Sequence, residues 1–352
     1  MKKTVSLFLA ALMLLSCLSA CKPGVPENES RDESNAESIA ESEDSCSSVY
    51  PLELTDQAGR RVIIGKKPER LVSGYYISTS AVIALGLSGL LVGIEAKADT
   101  RPLYALAAPE LLSLPDTGTA KQFNLEGCLA MEPDLVILPL KLMSAAETLE
   151  EFGIPVLLVN PESQELCEEM TELIAAACDV KPRAEKLKTG LDALRALLSG
   201  LEESERPSVY LAGNASYLNA AGSRMYQADL IRLAGGRNAA EELGDLYWSE
   251  ISYEQLLAFD PDVIVLASDA AYSAADILAD PALTSLSAVR NGSIYAMPGT
   301  VEAWDSPVPG GILGALWLAS VLHPQVVSPA DFERLVGDFY RDFYGFEVSL
   351  EE

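Results

Sequence analysis

The sequence predicts an α/β fold of two Rossmann-like lobes, each with a parallel central sheet, joined by one long rigid helix and separated by a ligand cleft. The first observation is a doubled segment. Asn124 to Leu138 reads NLEGCLAMEPDLVIL and Ser252 to Leu266 reads SYEQLLAFDPDVIVL. Each copy is a short helix, a Pro-Asp turn (Pro133-Asp134, Pro261-Asp262) and a buried strand of branched residues. The second observation is a matching opening before each copy. Arg70 to Ser73 is a strand running into Gly74 to Ser80 and a helix that ends at Gly86. Ser208 to Ala212 runs into Gly213 to Tyr217 and then a helix from Gln227 to Ala234, closed by Gly235-Gly236. Strands alternating with helices at this spacing imply parallel sheets, and ligands of such sheets bind beyond the carboxyl ends of the strands.

The third observation is the segment between the copies. Pro182 suits a first helical turn, Leu187, Leu191, Leu194, Leu198 and Leu201 form one stripe, and Pro207 stands just past the end at Glu205. At about 1.5 Å per residue this helix spans roughly 35 Å. The organisation that follows is residues 50–180 for the first lobe, 181–205 for the joining helix and 206–352 for the second lobe.

Ahead of the lobes, Met1-Lys2-Lys3-Thr4, the apolar run Val5 to Leu15 and the small residues Ser16 to Ala20 have the order of a secretory signal, too short to cross a bilayer as a stable helix. Residues 1–20 are therefore expected to be removed. Leu18-Ser19-Ala20-Cys21 resembles the bacterial lipobox, which makes Cys21 the acylated first residue of the mature chain; a plain signal with a cysteine nearby is the alternative. Residues 21–49 are rich in Glu, Ser, Asp and Asn and too poor in apolar residues to offset their ordering entropy, so they read as an acidic tether. The expected location is the outer face of the cytoplasmic membrane, with the lipid as the only membrane contact.

With 52 acidic against 25 basic residues the net charge is −27, and no basic patch is available to neutralise phosphates, which argues against nucleic acid. Cys46, Cys128, Cys167 and Cys178 form no metal-type CxxC pair. Cys167 and Cys178 lie roughly 16 Å apart along one helix, too far to bridge each other. Buried small hydrophobes describe them best, with pairing between distant members left open. His323, the one histidine, stands at a helix end before Pro324, so a bare transition-metal site is not expected.

Leu54-Thr55-Asp56-Gln57-Ala58-Gly59-Arg60-Arg61-Val62, Lys67-Pro68-Glu69-Arg70-Leu71-Val72, the two Glu-x-x-x-Ala-x-x-Pro-Asp units and Ala234-Gly235-Gly236-Arg237-Asn238 together resemble the substrate-binding lipoproteins of ABC importers. The specific resemblance is to the helical-backbone group that takes up siderophores, haem and corrinoids, and it covers about Leu52 to Pro324. It implies a receptor that captures a metal chelate and delivers it to a permease and its ATPase, without a cofactor and without catalysis. A molybdate or tungstate receptor of the same fold is the alternative ligand class; a lipoprotein sensor or adhesion module is the alternative role. Against an enzyme stand the lack of a nucleophile elbow, of a Ser-x-x-Lys constellation with partners, of a Gly-rich phosphate loop and of a histidine placed as general base.

The resemblance places ligand contacts on the loops after the strands: Tyr75, Tyr76, Arg101, Lys121, Lys141, Asn214, Tyr217, Arg224, Tyr226, Trp248 and Trp304. Aromatic rings would pack on a chelate and Arg or Lys would meet its negative charge, while core packing is the competing role for each aromatic. Tyr75 and Tyr76 are adjacent, so at most one is expected to point squarely into the cleft. Trp304 is expected at the cleft rim. Permease contacts are expected from acidic residues on the outer faces, Glu147 in the first lobe and Asp276 in the second, with a solvated helix charge as the competing role.

Overall fold

The computed structural model describes residues 49–201, 206–244, 246–348 and 350. The expected signal, Cys21, the tether, Cys46 and the last residues of the joining helix lie outside them. The chain enters through an antiparallel hairpin of β1 (Leu52–Thr55) and β2 (Arg61–Ile64). Asp56 holds the hairpin. Its buried carboxylate accepts from the backbone N–H groups of Ala58 (3.0 Å), Arg60 (2.9 Å) and, across the fold, Leu158 (3.1 Å). Arg60 donates back to the same carboxylate through Nε at 2.9 Å and reaches on to the Val156 carbonyl at 2.8 Å and Glu150 at 3.1 Å. A fully satisfied buried carboxylate thus ties the hairpin to the edge of the first sheet.

In the first lobe β3 (Leu71–Ser73), α1 (Tyr76–Ala84) and β4 (Leu91–Gly93) are followed by α2 (Pro102–Ala107) and a small hairpin of β5 (Gly118–Thr119) and β6 (Gln122–Phe123). Then come α3 (Leu125–Ala130), β7 (Leu135–Pro139), α4 (Met143–Glu151), β8 (Val156–Val159) and α5 (Gln164–Ala177). The sheet is parallel, in the order β4-β3-β7-β8. β7 and β8 are buried along their whole length, which accounts for their unbroken runs of branched residues.

The joining helix α6 (Lys181–Leu197) has the expected apolar stripe but only 17 residues, about 25 Å at ~1.5 Å per residue. It stops early because Gly200, at φ 84°, turns the chain left-handed just beyond. The second lobe comprises β9 (Ser208–Gly213), β10 (Ser216–Ala221), α7 (Tyr226–Leu233), β11 (Arg237–Asn238), β12 (Trp248–Glu250), α8 (Tyr253–Phe259) and β13 (Val263–Leu266). After these come α9 (Ala274–Ala279), α10 (Ser287–Asn291), β14 (Ile294–Ala296), α11 (Ile312–Leu322) and α12 (Pro329–Tyr344). Its sheet, ordered β12-β10-β9-β13-β14, is mixed. β11, β13 and β14 run parallel to the β9 direction, whereas β10 is antiparallel to both β9 and β12. The expected parallel strands β9, β13 and β14 are joined by an antiparallel β10, because Asn214-Ala215 forms a two-residue turn that folds β10 straight back on β9.

The repeated Pro-Asp has the same task in both lobes. Asp134 accepts from the Arg70 N–H at 2.9 Å, and its own N–H donates to the Arg70 carbonyl at 2.9 Å. Asp262 does likewise with Ser208, at 2.8 and 2.9 Å. Each Asp thus pins the start of one strand to the start of its neighbour and sets their register.

Strand alternation divides the apolar residues. Leu71, Ile137, Leu157, Val209, Leu211, Val263 and Val265 point into one core shared by both lobes and filled by α1, α5, α6, α7, α11 and α12. Val72, Val136 and Leu158 face a smaller cluster on the far side of the first sheet, and Tyr210, Ile264 and Leu266 one on the far side of the second. Cys128, Cys167 and Cys178 are buried and unpaired. Replacing Asp56 by Ala orphans three backbone donors and takes one of its partners from Arg60; urea unfolding should show a loss of about 3 kcal/mol.

Candidate ligand cleft

Loops from the carboxyl ends of strands in both lobes meet in two neighbouring compartments. The larger, 430 Å³, is lined by Tyr76 after β3, by Lys97, Thr100 and Arg101 after β4, by Ser268 and Asp269 after β13, and by Gly299, Val301, Glu302 and Ala303 after β14. The lobes touch across it: Leu103 N–H donates to the Val301 carbonyl at 3.1 Å and the Tyr76 hydroxyl to Ser306 Oγ at 2.9 Å. The Arg101 guanidinium carbon sits 3.9 Å from the Tyr76 ring centroid, and its Nε stands 3.5 Å from Glu95 Oε1. Glu95 is buried and accepts from Thr79 Oγ1 (2.7 Å) and the Tyr104 hydroxyl (2.6 Å). Burial raises the Glu95 carboxyl above its ordinary range, opposed by those two hydroxyls and by Arg101. No acceptor among the described residues bonds Arg101 Nη1 or Nη2.

The smaller compartment, 330 Å³, is lined by Tyr75, by Pro139 to Lys141 after β7, by Val159 to Glu162 after β8 and by Tyr247 from the second lobe. Arg224 lies over the Tyr247 ring, 5.0 Å from guanidinium carbon to centroid. Burial raises the Glu162 carboxyl, and Lys141 and Arg224 oppose the rise. The adjacent Tyr75 and Tyr76 rings meet edge to face at 5.4 Å, one in each compartment. Both tyrosines therefore line the cleft, where one was expected, because the turn into α1 sends successive side chains to opposite sides.

The structure thus brings Tyr75, Tyr76, Arg101 and Lys141 to the cleft, with Arg224 beside it. Lys121 and Asn214 lie on exposed hairpin turns and line neither compartment. Tyr217 bonds the Tyr253 hydroxyl (3.1 Å) and Asp280 (2.7 Å) against the outer cluster of the second lobe. Trp248 packs partly buried against the shared core. Tyr226 is 1 % exposed, its hydroxyl donating to Gln164 at 3.1 Å. Trp304 is also 1 % exposed, so the rim expected for it is corrected to the core: its ring meets Phe332 edge to face at 5.7 Å and its indole N–H donates to the Tyr340 hydroxyl at 2.9 Å. The helix pair α11–α12 closes over this tryptophan, which no local pattern around residue 304 announces.

Glu302 lines the larger compartment, while Glu95 and Asp305 back its wall through Arg101 and Ser268, and none of the three carries a signal in an acidic sequence. All three are buried. Asp305 accepts from Ser268 Oγ at 2.7 Å, fixing the loop after β13.

A cleft between two α/β lobes, lined by strand-end loops and carrying a guanidinium whose Nη groups no described residue bonds, has the form in which open α/β sheets bind their ligands. The chain belongs to the periplasmic binding protein family, whose sequence profile matches residues 71–301. It is 26% identical over 319 residues to the molybdate-binding protein MolA of Haemophilus influenzae, covering 83% of this chain and 90% of the relative. It is 24% identical over 292 residues to the Fe(3+)-citrate-binding protein YfmC of Bacillus subtilis, covering 81% and 87%. Among solved structures, molybdate-bound MolA superposes with a TM-score of 0.75 at 24% identity, covering 85% of this chain and 99% of that one. Truncating Trp304 to Ala would empty the middle of the shared core; the expected cost is about 3–5 kcal/mol, read as a lowered melting temperature of the ligand-free protein.

Proposed function

We propose that this chain is the extracytoplasmic solute-binding receptor of an ABC importer and that its ligand is a compact anion rich in acceptor oxygens, held on Arg101. The observation that carries this is the state of that guanidinium. Tyr76 covers its face and Glu95 faces its Nε, while both Nη groups are left for a ligand in a 430 Å³ compartment. A partly buried guanidinium with free donors is matched by an oxyanion or carboxylate accepting two parallel bonds. Lys97 lines the same compartment and adds a second positive charge. Molybdate and ferric citrate, named for two relatives, are both anions of this kind.

A second reading, a larger metal chelate such as an iron–siderophore, haem or corrinoid, rests on the smaller compartment. Tyr75 and Tyr247 offer aromatic surface there, and Lys141 and Arg224 offer charge, so a ligand spanning both compartments would use all four. Delivery to a permease fits anchoring through Cys21, which would hold the receptor at high effective concentration near its transporter. Glu147 on α4 is exposed and makes no bond among the described residues, which suits a docking contact. Asp276 suits it less, because its carboxylate is engaged by Ser273 N–H (2.8 Å) and Oγ (2.7 Å) in the cap of α9.

Isothermal titration of the lobes with molybdate, tungstate, sulfate, ferric citrate, haem and cobalamin tests this. An oxyanion or ferric citrate should bind, and Arg101→Ala should weaken it roughly a hundredfold, the value of two charge-assisted hydrogen bonds. Binding of haem or cobalamin alone, unchanged in Arg101→Ala, would replace the first reading by the second.

A further inference from the structure

Asp269 is the acidic residue that stands open to the larger compartment. It is exposed, it lines the cavity, and among the described residues no bond or ion pair reaches its carboxylate. The turn that carries it accounts for this. Ala270 N–H donates to the Ala267 carbonyl at 3.1 Å, so Ser268 and Asp269 are the two central residues of a tight turn after β13. Ser268 is spent on the protein: its Oγ (2.7 Å) and N–H (3.3 Å) both donate to the buried Asp305. Asp269 is left for the cavity. The turn is also held from two further directions. Ala271 N–H donates to the Asn214 carbonyl at 2.8 Å, and Gly299 packs so closely that a Cβ there would lie 2.8 Å from the Ser268 Cβ.

The cations of the same compartment come from the first lobe. Lys97 has φ 68°, a left-handed backbone uncommon for a residue with a side chain, and its carbonyl accepts from Thr100 N–H (3.0 Å) and Oγ1 (2.8 Å). That bend brings Lys97 and Arg101, four residues apart, to one cavity. Among the described residues nothing bonds the Lys97 ammonium either. Asp269 lies close to the platform on which Arg101 rests. Burial raises the Tyr76 hydroxyl and the Asp305 carboxyl, and the Asp269 charge raises both further.

Guanidinium and ammonium groups donate and cannot accept, whereas a carboxylate accepts and cannot donate. A ligand that meets all three must therefore turn acceptor oxygens to the first lobe and a donor to the second. An oxyanion without a proton has acceptors only, and its charge is repelled by Asp269. We propose that Asp269 is a specificity-determining contact of the cleft: it selects an anion that carries its own hydrogen-bond donor, a hydroxyl or a metal-bound water, over an oxyanion made of acceptors alone. The inference rests on the anion-receptor reading and narrows its ligand class. Of the two anions named for the relatives, a ferric citrate complex that keeps bound water meets the requirement, and molybdate does not.

Titration calorimetry at pH 8 with two pairs of anions tests it: sulfate against hydrogen phosphate, tetrahedral dianions that differ by one hydroxyl, and molybdate against ferric citrate. The unaltered protein should hold the donor-bearing member of each pair about tenfold more tightly, the worth of one hydrogen bond to a charged group. Asp269→Asn, whose amide can donate, should move the members of a pair in opposite directions. Hydrogen phosphate and ferric citrate should weaken about tenfold, while sulfate and molybdate strengthen. Because Asp269 bonds nothing in the described fold, the ligand-free variant should melt where the unaltered protein does, and Asp269→Ala should weaken the donor-bearing anions to the same degree. A shift of every bound anion in one direction, the result of merely removing a distant charge, would overturn the inference, as would no shift at all or binding of sulfate and molybdate alone. Each of those results leaves the receptor reading standing as long as Arg101→Ala weakens whatever binds. Failure of all four anions to bind would overturn both.

Discussion

A single apolar core shared by the two lobes is the constraint on which the cleft depends. Leu71, Ile137 and Leu157 from the first sheet and Val209, Leu211 and Val265 from the second are buried in one cluster with α5, α6, α11 and α12. Alternation along the strands sends one face of each sheet into that cluster, so neither lobe has a complete core of its own on that side. The joining helix is thus only one of several elements holding the lobes together. The last two helices matter as much, because they bury Trp304 from the chain's far end and α12 packs Phe332 on its ring in the same cluster. Separating the lobes by a wide hinge motion would expose this surface at roughly 25 cal/mol per Å², which makes a large opening costly. The strand-end loops are held at nearly fixed spacing, and Leu103 N–H to Val301 carbonyl and Tyr76 to Ser306 already bridge them.

Within that frame the cleft is built from buried charges supported one by one. Glu95 is held by two hydroxyls and faces Arg101; Asp305 is held by Ser268. Each carboxylate loses hydration on burial and recovers part of it from a fixed donor, so the loops bearing the donors are immobilised with it. Glu302 is the exception, with a donor for one oxygen only.

How much of this the sequence discloses depends on whether a residue's task is local. Asp134 and Asp262 each bind a strand start from a fixed place in a repeated segment, so the repeat gives both lobes and the central strands. Asp56 and Arg60 likewise act over four residues, and their motif is recognisable. Arg101 and Tyr76 follow strand ends and are found by the rule that such loops face ligands. By contrast Tyr226 and Trp304 look like cleft aromatics from their neighbours in sequence, yet partners 62 and 36 residues away bury them. β10 is missed because Asn214-Ala215 reads equally well as a loop or as a tight hairpin turn, and only pairing with β9 and β12 decides. Glu302 is invisible among 52 acidic residues until the fold places Tyr340 behind it.

The acidity of the chain bears on capture differently from the way net charge alone suggests. A net charge of −27 repels anions at long range, but charges more than about 8 Å apart through solvent are largely screened at physiological ionic strength. Many of the acidic side chains are also answered locally on exposed helices, as Asp331 and Asp338 are by Arg334 and Asp338 by Arg341. Inside the compartment the balance is set by a few groups in a poorly solvated space. There Arg101 and Lys97 line the wall together with Asp269 and with the Glu302 carboxyl, which burial inclines toward neutrality. On the receptor reading proposed above, an anion in the cleft would meet Arg101 and Lys97 at close range, so a chain that discourages anions at its surface would still have a place for one between its lobes.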